Sequence, residues 1–185
     1  MTEYILWIVL GIIALVIFWL IITYNNLVHG RNRVDESWSD IEVQLKRRYD
    51  LIPNIVKTVK AFAKHEEDVF KKVTEARAAA MGAKSRTDHA KAENMLSESL
   101  KSLFAVAEAY PALQSTGNFM HLQQELTDAE DKISSSRRFY NSQVRGFNSN
   151  IQSFPTNMIA GSFGFQKYEF FDAPDVAMDH PGVNL

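Results

Sequence analysis

The sequence predicts an all-α fold: an N-terminal transmembrane helix continuing into an antiparallel helix bundle. Three observations predict it. Residues 5–22 form an uncharged apolar run, apolar residues recur at heptad spacing from Val34 onward, and no strand-like alternation competes before residue 155.

The apolar run holds one glycine, Gly11, and no proline. At about 1.5 Å per residue its 18 residues cover about 27 Å, close to the roughly 30 Å hydrocarbon core of a bilayer. Lipid offers no partners to backbone amides, so a lone segment there must satisfy them internally, as a helix does. Ile5, Trp7, Ile13, Phe18, Trp19, Ile22 and Tyr24 mark this anchor, and Trp7, Trp19 and Tyr24 suit the two interfaces. No Lys or Arg precedes the run and no small-x-small cleavage site follows it, so residues 1–26 read as a retained anchor rather than a signal peptide. Only Glu3 is charged on the short side, while Arg31, Arg33, Lys46, Arg47 and Arg48 follow the span. The positive-inside tendency therefore puts the N-terminus outside and the bundle in the cytoplasm.

Residues 27–155 read as the bundle. Val34, Ile41, Ile55 and Phe62 form one heptad line and Trp38, Leu45, Ile52 and Val59 the other, the narrow seam by which a helix packs on helices. Arg48 interrupts the first line. Pro53 removes an amide donor and crowds the carbonyl of Tyr49, so it predicts a kink or a restart capped by Asp50. The phase continues through Val69, Val73, Ala76 and Ala80, and leaves open whether the helix ends near Ala63 or at Met81, before Gly82. A further helix spans about 88–110, with Leu96, Leu100, Leu103, Ala107 and Tyr110 on one face and Pro111 ending it.

After a loop at 114–118 comes the clearest heptad: Phe119, Leu126, Ile133, Tyr140, Phe147 and Phe154, with Leu122 and Ala129 beside it. Ser136, Gln143 and Asn150 take over that companion line, and Pro155 closes the helix. Trp38, Ile41, Leu45, Ile52, Ile55, Leu122, Leu126, Ile133, Tyr140 and Phe147 are the expected seam. Residues 156–172 are too apolar for a solvated linker: Phe163, Phe165, Phe170 and Phe171 predict docking on the bundle, a neighbouring copy or the membrane. Residues 173–185, with Pro174 and the Pro181, Gly182 pair, read as disordered.

The run Tyr24, Asn25, Asn26, Leu27, Val28, the pair Arg31, Asn32, and the stretch from Val43 to Val56 containing Lys46, Arg47, Arg48, Asp50 and Pro53 resemble the signature of the LemA family. Tyr110, Pro111, Phe119, Gln123, Glu125, Glu130, Arg137, Tyr140, Asn141, Asn148, Pro155 and the Gly164, Phe165, Phe170, Phe171 tail carry the same resemblance through the second half. It implies a bacterial inner-membrane protein with one N-terminal anchor and a four-helix bundle of two long and two short helices, the first helix ending near 63–66. It implies no enzymatic activity, and a relative associated with the magnetosome and with membrane organisation.

The residues point away from chemistry. His29, His65, His89, His121 and His180 form no i, i+4 pair and none follows a Glu by three, so neither a di-iron nor a zincin pattern is present. No cofactor or metal is expected, and His65 with Glu66 reads as a turn. Cysteine is absent, which excludes disulfides and thiol nucleophiles. A net charge of −2 with no basic stripe excludes a nucleic-acid surface. Arg48, on an apolar line, requires a buried carboxylate partner, for which the last helix offers Glu125 or Glu130. The function these features predict is a non-catalytic membrane-anchored scaffold that self-assembles and organises a patch of bilayer. The expected partners are lipid, other copies of the chain and a membrane protein. A sensor or adaptor that recruits a partner protein, flexing at Pro53, is the alternative, and an enzyme a distant third.

Overall fold

Six helices account for the fold, and no strand occurs among the described residues: α1 (Thr2–Phe62), α2 (Glu67–Gly82), α3 (Arg86–Glu108), α4 (Pro111–Gln114), α5 (Gly117–Gln152) and α6 (Thr156–Ser162). The computed structural model describes residues 2–171; the expectation of disorder over 173–185, and His180, lie outside the described residues.

α1 passes from the apolar run into the heptad seam without interruption. Of the kink or restart expected at Pro53, the restart at Asp50 does not occur, and the defect left by Pro53 is repaired from outside the helix. Pro53 has no N–H to give the carbonyl of Tyr49, and Arg77 Nε donates to that oxygen instead, at 2.8 Å. α1 ends at Phe62, and a turn over 63–66, closed by Glu66 N–H on the Ala63 carbonyl, leads into α2. Glu67 and Asp68 then complement the positive end of the α2 dipole. Ser85 caps α3, its hydroxyl accepting from the Asp88 amide at 3.0 Å, so the helix starts earlier than expected. Pro111 starts the short α4 at its first position, where a missing N–H costs nothing.

The chain forms two compact units, and α1 and α5 contribute to both. The first comprises Met1–Trp38 and Phe139–Tyr168. In it the apolar run is exposed throughout, while Leu27, Val34, Trp38, Tyr140, Val144, Phe147 and Ile151 are buried. Trp38 and Tyr140 meet edge-on at 5.4 Å, and Gly30 lets α1 approach Phe147 so closely that a Cβ there would lie 3.0 Å from the ring.

The second unit comprises Ser39–Arg138 and Glu169–Leu185. It joins two stretches of long helix to the shorter α2 and α3. Ile41, Leu45, Ile52, Ile55 and Val59 of α1 are buried, as are Phe70 and Val73 of α2, Leu96, Leu100 and Leu103 of α3, and Leu126, Ala129 and Ile133 of α5. Each fully buried Leu, Ile or Phe removes enough apolar surface from water to contribute about 1.5–3 kcal/mol. α1 and α5 run antiparallel, since Thr58 meets Asn118 while Arg47 meets Glu125.

The seam of α5 departs from its expected line. Phe154 lies outside the helix and is exposed, Leu122 is half-buried, and Val144 and Ile151 are buried in place of Gln143 and Asn150. A straight α-helix turns once per 3.6 residues, so a strict seven-residue line drifts about 20° per heptad. Over the 36 residues of α5 that drift moves the companion line by one position. The same effect at the end of α1 leaves Phe62 exposed and buries Ala63.

Candidate functional site

Among the described residues of the second unit, Arg48 and Glu93 are the fully buried charged residues. The position of Arg48 on the heptad line of α1 puts it among Leu45 and Ile52, and its side chain is wholly buried together with that of Glu93. Arg48 Nη1 donates to Glu93 Oε2 at 3.0 Å and Nη2 to the Ser97 hydroxyl at 2.9 Å. Glu130 Oε1 lies 3.0 Å from Arg48 Nε, an ion-pair contact without hydrogen-bond alignment. The hydroxyl of Tyr49 donates to the other oxygen of Glu93. Burial, and after it that hydrogen bond to a carboxylate, push the Tyr49 phenol far above its ordinary range.

Glu130 therefore contacts Arg48, but Glu125 does not: its carboxylate takes Arg47, at 2.5 Å and nearer the surface. The principal partner, Glu93, comes from α3, not from the last helix. A sequence signal for it exists, since Glu93 stands on the 96, 100, 103, 107 line and is thus a carboxylate on an apolar face, the mirror image of Arg48 on α1. Arg137 completes the group. Its guanidinium lies 4.2 Å from the centroid of the Phe171 ring, and burial lowers its pKa despite the pull of Glu93. Burial likewise raises the pKa of Glu130, against the opposing charges of Arg48 and Arg137.

This constellation has the chemistry of an internal fastening. Two cations and two carboxylates neutralise one another, and the hydrogen bonds of Arg48 and Glu93 run to side chains of α1 and α3 rather than to open space. Glu130 and Ser97 do reach the edge of a pocket of about 360 Å³, shared with Leu100, Phe104 and Leu126. Among the described residues no group of three or more His, Cys, Asp or Glu is placed to hold a metal ion.

The second candidate lies in the first unit, where the chain leaves the apolar run. Tyr24 packs on Phe163 at 4.9 Å and on Phe165 at 5.9 Å, and Phe147 packs edge-on against Phe165 and Tyr168. Asn148 holds the tail in place: its side chain donates to the Tyr168 carbonyl at 2.8 Å and accepts from the Tyr168 amide at 2.9 Å. The Tyr168 hydroxyl donates to Asp35 at 3.0 Å. Gly164 makes the turn possible. Its φ of 72° lets the Phe165 amide reach back to the Ala160 carbonyl at 2.9 Å, closing α6 in a Schellman motif.

The residues expected in the anchor, Ile5, Trp7, Ile13, Phe18, Trp19, Ile22 and Tyr24, are all exposed on one helix long and apolar enough to cross a membrane. Of the four tail aromatics, Phe171 is buried and Phe165 half-buried against the chain itself, while Phe163 and Phe170 stay open.

The model of the LemA family matches residues 37–185. The chain is similar to Magnetosome protein MamQ 2 of Paramagnetospirillum magneticum, 26% identical over 189 residues that span 88% of this chain and 69% of the relative. It is similar to Magnetosome protein MamQ of Magnetospirillum gryphiswaldense at 25% identity, over 88% and 70% of the two chains. Protein LemA of Metamycoplasma hominis is 23% identical, over 82% and 70%.

Proposed function

The chain belongs to the LemA family, and from that premise we propose that it is a membrane-anchored helical scaffold, without catalysis, that assembles with further copies of itself and organises the bilayer around it. The observation that carries this reading is the continuity of α1, in which the apolar run and the heptad seam belong to one helix. A body so fixed transmits lateral order to the lipid, and confinement to a surface raises its local concentration so that weak contacts suffice for assembly. The magnetosome names of two relatives support work at a membrane. Neither they nor the family's description carries an enzymatic activity. The bundle then faces the cytoplasm from a bacterial inner membrane, following the positive charges after the span.

The test is stoichiometry. Mass measurement of the full chain extracted from membrane into mild detergent should give a multimer at micromolar concentration, and a strict monomer would sink the scaffold. The adaptor reading draws on the exposed Pro53 alone. It expects Pro53→Ala to change partner recruitment more than assembly.

A further inference from the structure

Phe154, Met158 and Phe163 are 80%, 66% and 62% exposed, three large apolar side chains within ten residues and outside the span. They belong to the first unit, and nothing in its packing requires them to be open. The sequence around them carries no charge: from Gly146 to Gln166 there is no Asp, Glu, Lys, Arg or His, although Arg145 and Lys167 bracket the stretch. A water-facing segment of that length in a chain with 23% charged residues would be expected to carry several charges.

The height of this surface is fixed by α1. Tyr24 lies two residues, or about 3 Å of helix rise, beyond Ile22 at the end of the apolar run. Phe163 packs on Tyr24, and so stands at the bilayer boundary that the run itself defines. Arg31, whose guanidinium lies 5.9 Å from the centroid of the Phe165 ring, lines with Lys167 a pocket of about 300 Å³ beside Phe163 and Gly164. Arg31 starts nine residues, or about 13.5 Å of helix rise, beyond Ile22, and a long cationic side chain reaches back from such a position towards the headgroups.

We propose that α6 and the turns flanking it form a foot that enters the headgroup–acyl boundary of the bilayer that α1 spans, with Phe154, Met158 and Phe163 in the acyl edge and Arg31 and Lys167 on the phosphates. The proposal rests on the membrane-anchored reading above and deepens it. Lipid is the occupant because Phe163 packs on Tyr24 at the end of the span and the sequence from Gly146 to Gln166 is uncharged throughout. Interfacial segments of this kind sink about 5–10 Å into the boundary region. The foot occupies one leaflet only, and thereby gives the scaffold a means of acting on the membrane.

The chain has no cysteine, so single nitroxide labels are placed without altering the background. The full chain in liposomes of phosphatidylcholine and phosphatidylglycerol is labelled at Phe154→Cys, Met158→Cys, Phe163→Cys and, removing no apolar group, Ser162→Cys. Lys132→Cys is the aqueous control and Ile13→Cys the lipid control. At the foot, oxygen should reach the label more readily than a water-soluble nickel chelate, the reverse of the order at Lys132. Aqueous values at Met158, Ser162 and Phe163 with lipid values at Ile13 overturn the foot and leave the anchor standing. Aqueous values at Ile13 as well overturn both. Broadening between labels on different copies, growing with protein density while oxygen access stays low, identifies a second copy as the occupant and also overturns the proposal.

Discussion

The repair of α1 at Pro53 makes a prediction with a defined sign and size. Arg77 Nε donates to the Tyr49 carbonyl at 2.8 Å in a partly buried setting, and a hydrogen bond from a charged donor contributes about 1.5–3 kcal/mol. Arg77→Met should therefore destabilise the full chain by about that amount. For a chain of this size each kcal/mol shifts Tm by about 2–4 °C, which gives a fall of about 3–12 °C. Pro53→Ala restores an amide opposite the same carbonyl and relieves a helix-interior penalty of at most about 3 kcal/mol, so it should stabilise. The informative variant is the double. With Ala at 53 the carbonyl has a helical partner again, and Arg77→Met should then cost at least about 1 kcal/mol less than it does beside proline. The assay is thermal unfolding of the four proteins in one detergent, followed by far-ultraviolet circular dichroism. Equal cost of Arg77→Met in both backgrounds would refute the repair, whatever the single variants do.

Arg48→Met should cost about 3–5 kcal/mol by stranding Glu93, whereas Arg48→Met with Glu93→Leu should cost far less than the sum of the two singles; additive losses would show that the pair is not a unit. Glu130 has a folded pKa raised above its ordinary value of 4.5, mainly by burial, so folding favours its protonated form. Wild-type stability should then fall as pH rises from 4.5 through the raised value, and Glu130→Gln should lack that fall; a stability difference that stays flat with pH would rule this out. Gly164→Val places a β-branched residue at a φ of 72° and should lower stability by roughly 1–2 kcal/mol, read by the same thermal assay, with an unchanged Tm counting against the turn.

The seam of α1 is legible because a seven-residue pattern over one helix face has a single physical cause, burial against other helices. Trp38, Ile41, Leu45, Ile52 and Ile55 all lie where the pattern puts them. The turn after Phe62 is silent for a geometric reason: its four residues, 63–66, amount to about one helical turn, so the heptad phase crosses it unbroken. Resemblance to the family places that turn where periodicity cannot. Arg48 announces a buried carboxylate, but spacing along one helix does not name the helix opposite, which is why Glu125 took the place of Glu93. The failure at Phe154, expected as the last position of the heptad line and found exposed, comes from counting sevens past the end of α5. The brief α6 has no periodicity of its own to read, and its boundaries depend on Pro155 and on the positive φ of Gly164.

The pairing of Arg48 with Glu93 also answers a question that a heptad seam raises by its regularity. Leucines and isoleucines repeated every seven residues fit almost as well after one helix slides past another by a heptad, about 10 Å, so greasy contact alone leaves several alignments close in energy. A guanidinium on that line finds its carboxylates in one alignment only, and each slipped alternative strands a buried charge at a cost of about 3–5 kcal/mol. The cluster works as a key cut into an otherwise uniform edge: it adds little to how tightly these helices hold together, and it decides which of several alignments they hold.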